Sequence, residues 1–166
     1  ERPDADVCQE AVFACLRANP YLDAGYDLVA TLDASAETKI AQLEPVLRMG
    51  MGWAAVRNLA PEVQHAACKR WLAETSDVRV RDLLLAQLVR FGLGDEAELE
   101  QVRVAIQGGA CVAILSALAK GQELPPSLRE DLVQWIDRDY ARRGFQAVCS
   151  DAVNALWAHP VATGSK

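Results

Sequence analysis

From Ala110 to Ala119 the chain reads Ala-Cys-Val-Ala-Ile-Leu-Ser-Ala-Leu-Ala, entered through Gly108-Gly109 and left through Lys120-Gly121. A helix over this run is apolar on every side, has no face to give to water, and belongs inside a set of other helices. The run is far shorter than the roughly 20 residues a bilayer requires, so its apolarity predicts a protein core.

The rest of the chain alternates apolar stripes with stop signals. Residues 6–18 place Cys8, Val12, Cys15 and Leu16 at helical spacing, and Asn19-Pro20 ends the segment because a residue before proline avoids the helical region. Tyr21 to Leu32 predicts a short second helix weakened by Gly25, and Asp33 or Ser35 caps a third that carries Ile40 and Leu43. Pro45 lacks the amide a helix interior uses, which predicts a new or kinked helix over residues 45–59. Gly50 and Gly52 then give that helix a small-residue face ahead of Trp53. Pro61 opens a helix to about Glu74 with apolar groups on two sides, Val63, Ala67 and Trp71, then Cys68 and Leu72.

Ser76-Asp77 caps the next helix, in which Val80, Leu84, Leu88 and Phe91 form the stripe, Asp77 and Arg81 are an i,i+4 pair, and Gly92 is the stop. Asp95-Glu96-Ala97-Glu98 sets acid in a first turn, where the helix dipole favours it, ahead of Leu99, Val102 and Ile106. Ser127-Leu128-Arg129-Glu130 matches a capping box for a helix to Arg143 that buries Leu128, Leu132, Ile136 and Tyr140. Beyond Gly144, the residues Phe145, Val148, Cys149, Ala152 and Leu156 recur at helical spacing until His159-Pro160. No strand-like alternation appears. The pattern predicts an all-α chain of about seven to nine helices, a compact bundle or an irregular repeat-like domain, spanning 1–166 around residues 110–119.

Composition agrees. Half the 166 residues are hydrophobic and 24% are charged, which is ordinary globular balance, and Ala and Leu, both strong helix formers, dominate. Net charge is −6, unevenly spread. Residues 1–47 hold nine acidic against three basic groups, residues 48–94 seven basic against four acidic, and residues 95–166 ten acidic against seven basic. An acidic chain lacks the positive field that nucleic-acid binding needs. Five widely spaced cysteines fit a reduced, cytoplasmic setting, since Cys8 and Cys15 lie about 10 Å apart along one helix, too far for a disulfide. No leader pattern precedes Cys8, and Gly164-Ser165-Lys166 has the look of an appended tail.

Ser76 to Gly92, with its Asp77, Val80-Arg81, Leu85-Ala86 and Gly92, resembles one unit of a HEAT-like helical repeat, without a second copy at fixed period. Trp53-Ala54-Ala55, Ala67 with Trp71-Leu72, Arg81 and Gly108-Gly109 are together similar to small bacterial all-helical domains of unknown function. That resemblance implies a bacterial origin and no particular activity.

Chemistry-bearing constellations are sparse. His65 and Cys68 share a helix face but lack the third and fourth ligands that zinc takes, so a buried cysteine is the better reading and no metal or cofactor is expected. His65 and His159 are the only histidines, and neither a nucleophile elbow nor a cysteine-protease signature accompanies them. Glu130-Asp131 and Asp137 with Asp139 come nearest to paired carboxylates, with capping and ion pairing as their simpler uses. Trp53, Trp71, Trp135 and Trp157 fall on apolar stripes and read as core, with groove lining as the alternative.

These features point to a non-enzymatic interaction module, an adaptor, chaperone-like subunit or secretion accessory. The alternatives are a hydrolase built on His65 or His159 and an acidic immunity-type inhibitor of a basic toxin. The candidate partner-binding set is Arg48, Arg57, Arg70, Arg79 and Arg81 with Trp53 and Trp71, from the one basic third of the chain. The expected partner is another protein or peptide, and what faces Arg70 and Arg79 is either an acidic segment of it or the chain's own acidic N-terminal third. No nucleic acid and no membrane is expected among the partners.

Overall fold

The computed structural model describes residues 5–56, 59–92, 95–109, 112–120, 124–143 and 147–159. Every regular element among them is helical. The order is α1 (Ala5–Ala18), α2 (Asp23–Thr31), α3 (Ala36–Arg48), α4 (Trp53–Val56), α5 (Pro61–Glu74), α6 (Val78–Phe91), α7 (Glu96–Gln107), α8 (Val112–Lys120), α9 (Pro126–Arg143) and α10 (Ala147–Ala158). Apart from the four-residue α4, each is nine residues or longer. The chain is all-α, as its periodicity predicts. No described helix is long and apolar enough to cross a membrane.

Two compact units divide it, Glu1–Thr75 with α1–α5 and Ser76–Lys166 with α6–α10. In the first, α1 packs on α2 and α3, α2 on α4, and α3 on α4 and α5. Side-chain pairs fix the directions. Gln9 donates to the Asp33 carbonyl at 3.3 Å while Arg17 donates to Gln42 at 2.6 Å, so α1 and α3 advance together. Arg48 meets Glu74, 26 residues on, and Arg70 approaches Glu44 with the same offset, so α3 and α5 also run parallel.

The buried face of α1 is Phe13 and Leu16 rather than Cys8 and Cys15, both of which are exposed. Phe and Leu remove more apolar area from water than Cys does, and that difference sets which way the helix turns. Gly25 is a close-approach position, since a Cβ there would lie 2.7 Å from Leu16 Cδ2. A side chain at Gly25 would have to displace the buried Leu16 side chain for α2 to stay settled against α1.

Pro45 starts no new helix. It lies inside α3, in the last turns, where the carbonyl it leaves without an amide belongs to exposed Ala41 and can turn to water. The break comes later, at Gly50 and Gly52, whose φ angles of 81° and 71° make a turn of what the sequence suggests is a helix face. Pro61 opens α5 as expected, and buried Gln64 donates to the Leu59 carbonyl of the preceding turn.

In the second unit α6 packs on α7 and α8, α8 on α10, α7 on α9, and α9 on α10. Asp77 accepts from the amides of Arg79 and Val80, Asp95 accepts from Glu98, and Gly92 closes α6. These caps match the sequence reading, as does Ser35 accepting from Thr38 ahead of α3. Enclosure is greatest in α6, where the six consecutive residues Leu84–Val89 are all buried. In α8, Ile114, Leu115, Ala117 and Leu118 are buried but Val112 is 49% exposed, so this helix keeps one edge in water. Ala110 and Cys111 lie outside the described residues.

The expected capping box at Ser127 does not form. Helix α9 begins one residue earlier, at Pro126, and the Arg129 amide donates to the Pro125 carbonyl at 3.1 Å. Proline's fixed φ and missing amide suit the first helical position, which displaces Ser127 into the first turn. Leu128 and Leu132 are fully buried. The side chains of Tyr140, Val148 and Cys149, and all of Phe145, lie outside the described residues. His159 Nε2 meets the Leu118 carbonyl at 2.9 Å, so α8 and α10 end side by side and run parallel.

Candidate functional site

Two seams between packed helices, α3–α5 and α7–α9, gather charged residues. In the first unit, α3 carries Glu44 and Arg48 four residues apart, and α5 carries Arg70 and Glu74 in the reverse order. Parallel packing sets each acid against the other helix's base. Arg48 lies 2.6 Å from both Glu44 and Glu74, and its guanidinium sits 5.5 Å above the ring of Trp71. Arg70 comes only to 3.8 Å from Glu44 and from Glu74, beyond hydrogen-bond reach.

One end of this seam opens into a groove of about 500 Å³. Ile40, Val63 and Ala67 form its floor, and Ala41 and Ala66 are the small residues that keep it from closing. Glu37 and Glu62 stand at one end and Arg70 at the other. Both glutamates lie in the first turns of their helices, where the dipole favours acid, yet both are exposed on the rim without an ion pair among the described residues.

In the second unit the seam between α7 and α9 is closed by Asp131, which is 4% exposed. Arg103 Nε donates to it at 2.7 Å and Gln107 Nε2 at 2.9 Å, while Arg103 also reaches Glu100 at 3.1 Å. Burial pushes the Asp131 carboxyl up, but the hydrogen bonds from Arg103 and Gln107, with the charges of Arg103 and Arg138, outweigh it and hold the group below its ordinary value. The same contact raises the Arg103 guanidinium. Beside it lies a hollow of about 120 Å³ lined by Gly108, Gly109, Trp135 and Arg138 among others. Asp131 was a carboxylate-pair candidate with Glu130, and the structure gives it a structural use.

The expected partner-binding residues are divided between the two units. Arg48, Arg70, Trp53 and Trp71 come together in the first unit, Arg79 and Arg81 belong to the second, and Arg57 lies outside the described residues. Arg48 is half-buried and held by two carboxylates, whereas Arg70 and Arg79 are exposed. Trp53 and Trp71 are core, not surface. Trp71 is fully buried, and Trp53 stacks edge-on to it at 6.3 Å with its indole N–H on the Leu47 carbonyl. Burying these rings removes more area than any other side chain in the unit can offer. Trp135 is buried as well, and Trp157 is 85% exposed.

Cys68 is fully buried, and that burial pushes its thiol up to about 12, so it is an inert core group. No cluster of three metal-ligating side chains occurs among the described residues. Sequence reasoning named Arg70 but missed Glu37, Glu62 and the small residues Ala41 and Ala66. The reversed Glu-x-x-x-Arg and Arg-x-x-x-Glu pairs at an offset of 26 were the signal that α3 and α5 interlock. Compared with known proteins, the chain matches no family model, no curated protein and no solved structure.

Proposed function

We propose that the protein is a non-enzymatic interaction module that receives a segment of another protein in the groove between α3 and α5. The observation that carries this reading is the groove itself, an apolar furrow of about 500 Å³ with charge at both ends and small residues where side chains would fill it. Grooves of this kind between helices take amphipathic helices, whose apolar face supplies area while flanking charges set register. The neighbouring network of Arg48, Glu44 and Glu74 holds the two helices in place, so the furrow is formed before the ligand arrives.

Alternate helices lying side by side, α1 on α3 on α5 and α6 on α8 on α10, support a HEAT-like arrangement within each unit. Repeat folds of that kind work mainly by presenting surfaces to other proteins. The hydrolase reading gains nothing from His159, whose Nε2 is engaged with the Leu118 carbonyl between α8 and α10.

A photoreactive amino acid placed at Ala41 or Ala66 tests the proposal, against the same group at exposed Ala73 on α5. Cross-linking in cells to one identified protein from the groove positions alone is the expected result. Equal capture from Ala73 overturns the proposal.

A further inference from the structure

We infer that the occupant of the α3–α5 groove is a bipolar amphipathic helix, apolar on one face, with a Lys or Arg at the Glu37–Glu62 end and an Asp or Glu at the Arg70 end. The inference rests on reading this seam as an interaction groove and goes further, to the chemistry of what fills it.

The charges on the rim carry the argument. Glu37 and Glu62 belong to different helices, and because α3 and α5 are parallel their first turns lie at the same end of the groove. Each is exposed and has no ion pair among the described residues, so two carboxylates there share no cation. A basic side chain in the groove relieves both at once. Any acidic group entering at that end meets two like charges.

At the opposite end Arg70 is held loosely. Arg48 already contacts Glu44 and Glu74 at 2.6 Å, which leaves Arg70 in long ion pairs at 3.8 Å with the same two carboxylates, its N–H donors making no hydrogen bond among the described residues. A planar guanidinium in that position is suited to take a carboxylate bidentately. An acidic group on the partner therefore meets Arg70, as the arginine count suggests, and a basic group on the same segment meets the glutamates.

Spacing follows from helix geometry. Glu62 and Arg70 are eight residues apart on α5, about 12 Å along the axis at 1.5 Å per residue. A helix lying along the groove must then carry its two charges about two turns apart, at i and i+7 or i+8. Between them its apolar side chains cover Ile40, Val63 and Ala67. The dipolar rim fixes which way round the segment lies, a property that a purely apolar groove lacks.

The test is a selection followed by titration. A displayed library of random peptides of about 15 residues, long enough to form a helix on binding, is selected on the full chain. It is then counter-selected on Ala66→Trp, which fills the groove from an exposed position. Enriched peptides are synthesised with a fluorophore and titrated by anisotropy, with circular dichroism confirming that each variant is folded. The expected peptides carry opposite charges two turns apart. They bind Glu37→Lys/Glu62→Lys about tenfold more weakly and lose a smaller, separate factor on Arg70→Glu. Groove-dependent peptides that lack the basic residue, or are indifferent to Glu37→Lys/Glu62→Lys, overturn the bipolar occupant while leaving the groove as an interaction site. A selection that returns nothing sensitive to Ala66→Trp overturns both.

Discussion

The α3–α5 and α7–α9 seams solve the same problem in opposite ways. Each ties two helices together with arginine on carboxylate, but one carboxylate is buried and the others are half exposed. At α7–α9 the carboxylate of Asp131 is buried and accepts from Arg103 and Gln107, so the pair closes over itself. At α3–α5 the same kind of contact is half exposed, alanines keep the neighbouring surface low, and Glu37, Glu62 and Arg70 remain on the rim. A closed seam specifies packing. An open one can specify a partner as well, because its charges are not all consumed in holding the fold.

The widest contrast comes from placing one new carboxylate in each kind of surroundings. Ile114→Asp puts an unpaired charge at a fully buried position of α8 and should cost more than about 4 kcal/mol, enough to abolish cooperative thermal unfolding. Ala66→Asp puts the same group on the exposed groove and should change stability by less than about 0.5 kcal/mol. Thermal melts followed by circular dichroism compare them, and equal costs would erase the distinction between closed and open surroundings.

A middle-sized effect concerns pH. The Asp131 carboxyl is depressed in the folded protein by Arg103 and Gln107, so the folded state binds fewer protons than the unfolded one in the acid range. Stability from this group is therefore fully present above the unfolded value of about 3.9 and is lost as pH falls through the lower folded value. Asp131→Asn should cost roughly 1–2 kcal/mol at pH 7 and remove that component of the acid loss. Melts from pH 7 to pH 3 that fall in parallel for both proteins would show that Asp131 is not the group responsible.

Arg48→Ala should be smaller still, about 1 kcal/mol. It loses two half-exposed ion pairs, each worth tenths, and the guanidinium's contact with the Trp71 ring. The informative part is its salt dependence. The difference from the unsubstituted protein should shrink in 1 M salt, and a difference independent of salt would assign the whole effect to packing.

Helices were legible because their ends are chemically marked. Ser35, Asp77 and Asp95 cap, Pro61 starts and Gly92 stops, and each acts locally through a few neighbouring amides. Errors arose where two local signals competed or where a choice depended on other helices. Pro126 outranked Ser127 as a starting point, and Gly50 and Gly52 outranked Pro45 as a break. Leu16 is buried as its spacing predicts, but Phe13 rather than Cys8 or Cys15 shares the buried face of α1 with it. The groove was beyond reach for a stricter reason. Its lining comes from two helices whose alignment is decided by packing, and Glu37 is no more unusual in the sequence than any first-turn acid. Asp131 was hidden in the same way, since Arg103 and Gln107 reach it from another helix.

The central claim is that the open seam, with its unspent rim charges, recognises a segment of opposite polarity. The most direct measurement is the affinity of a selected groove-binding peptide for the unsubstituted chain and for Glu37→Lys/Glu62→Lys at low and high salt. Binding that falls about tenfold on charge reversal at low salt, with the gap narrowing as salt screens the rim, is the predicted result. Equal affinity for both proteins at every salt concentration would contradict it.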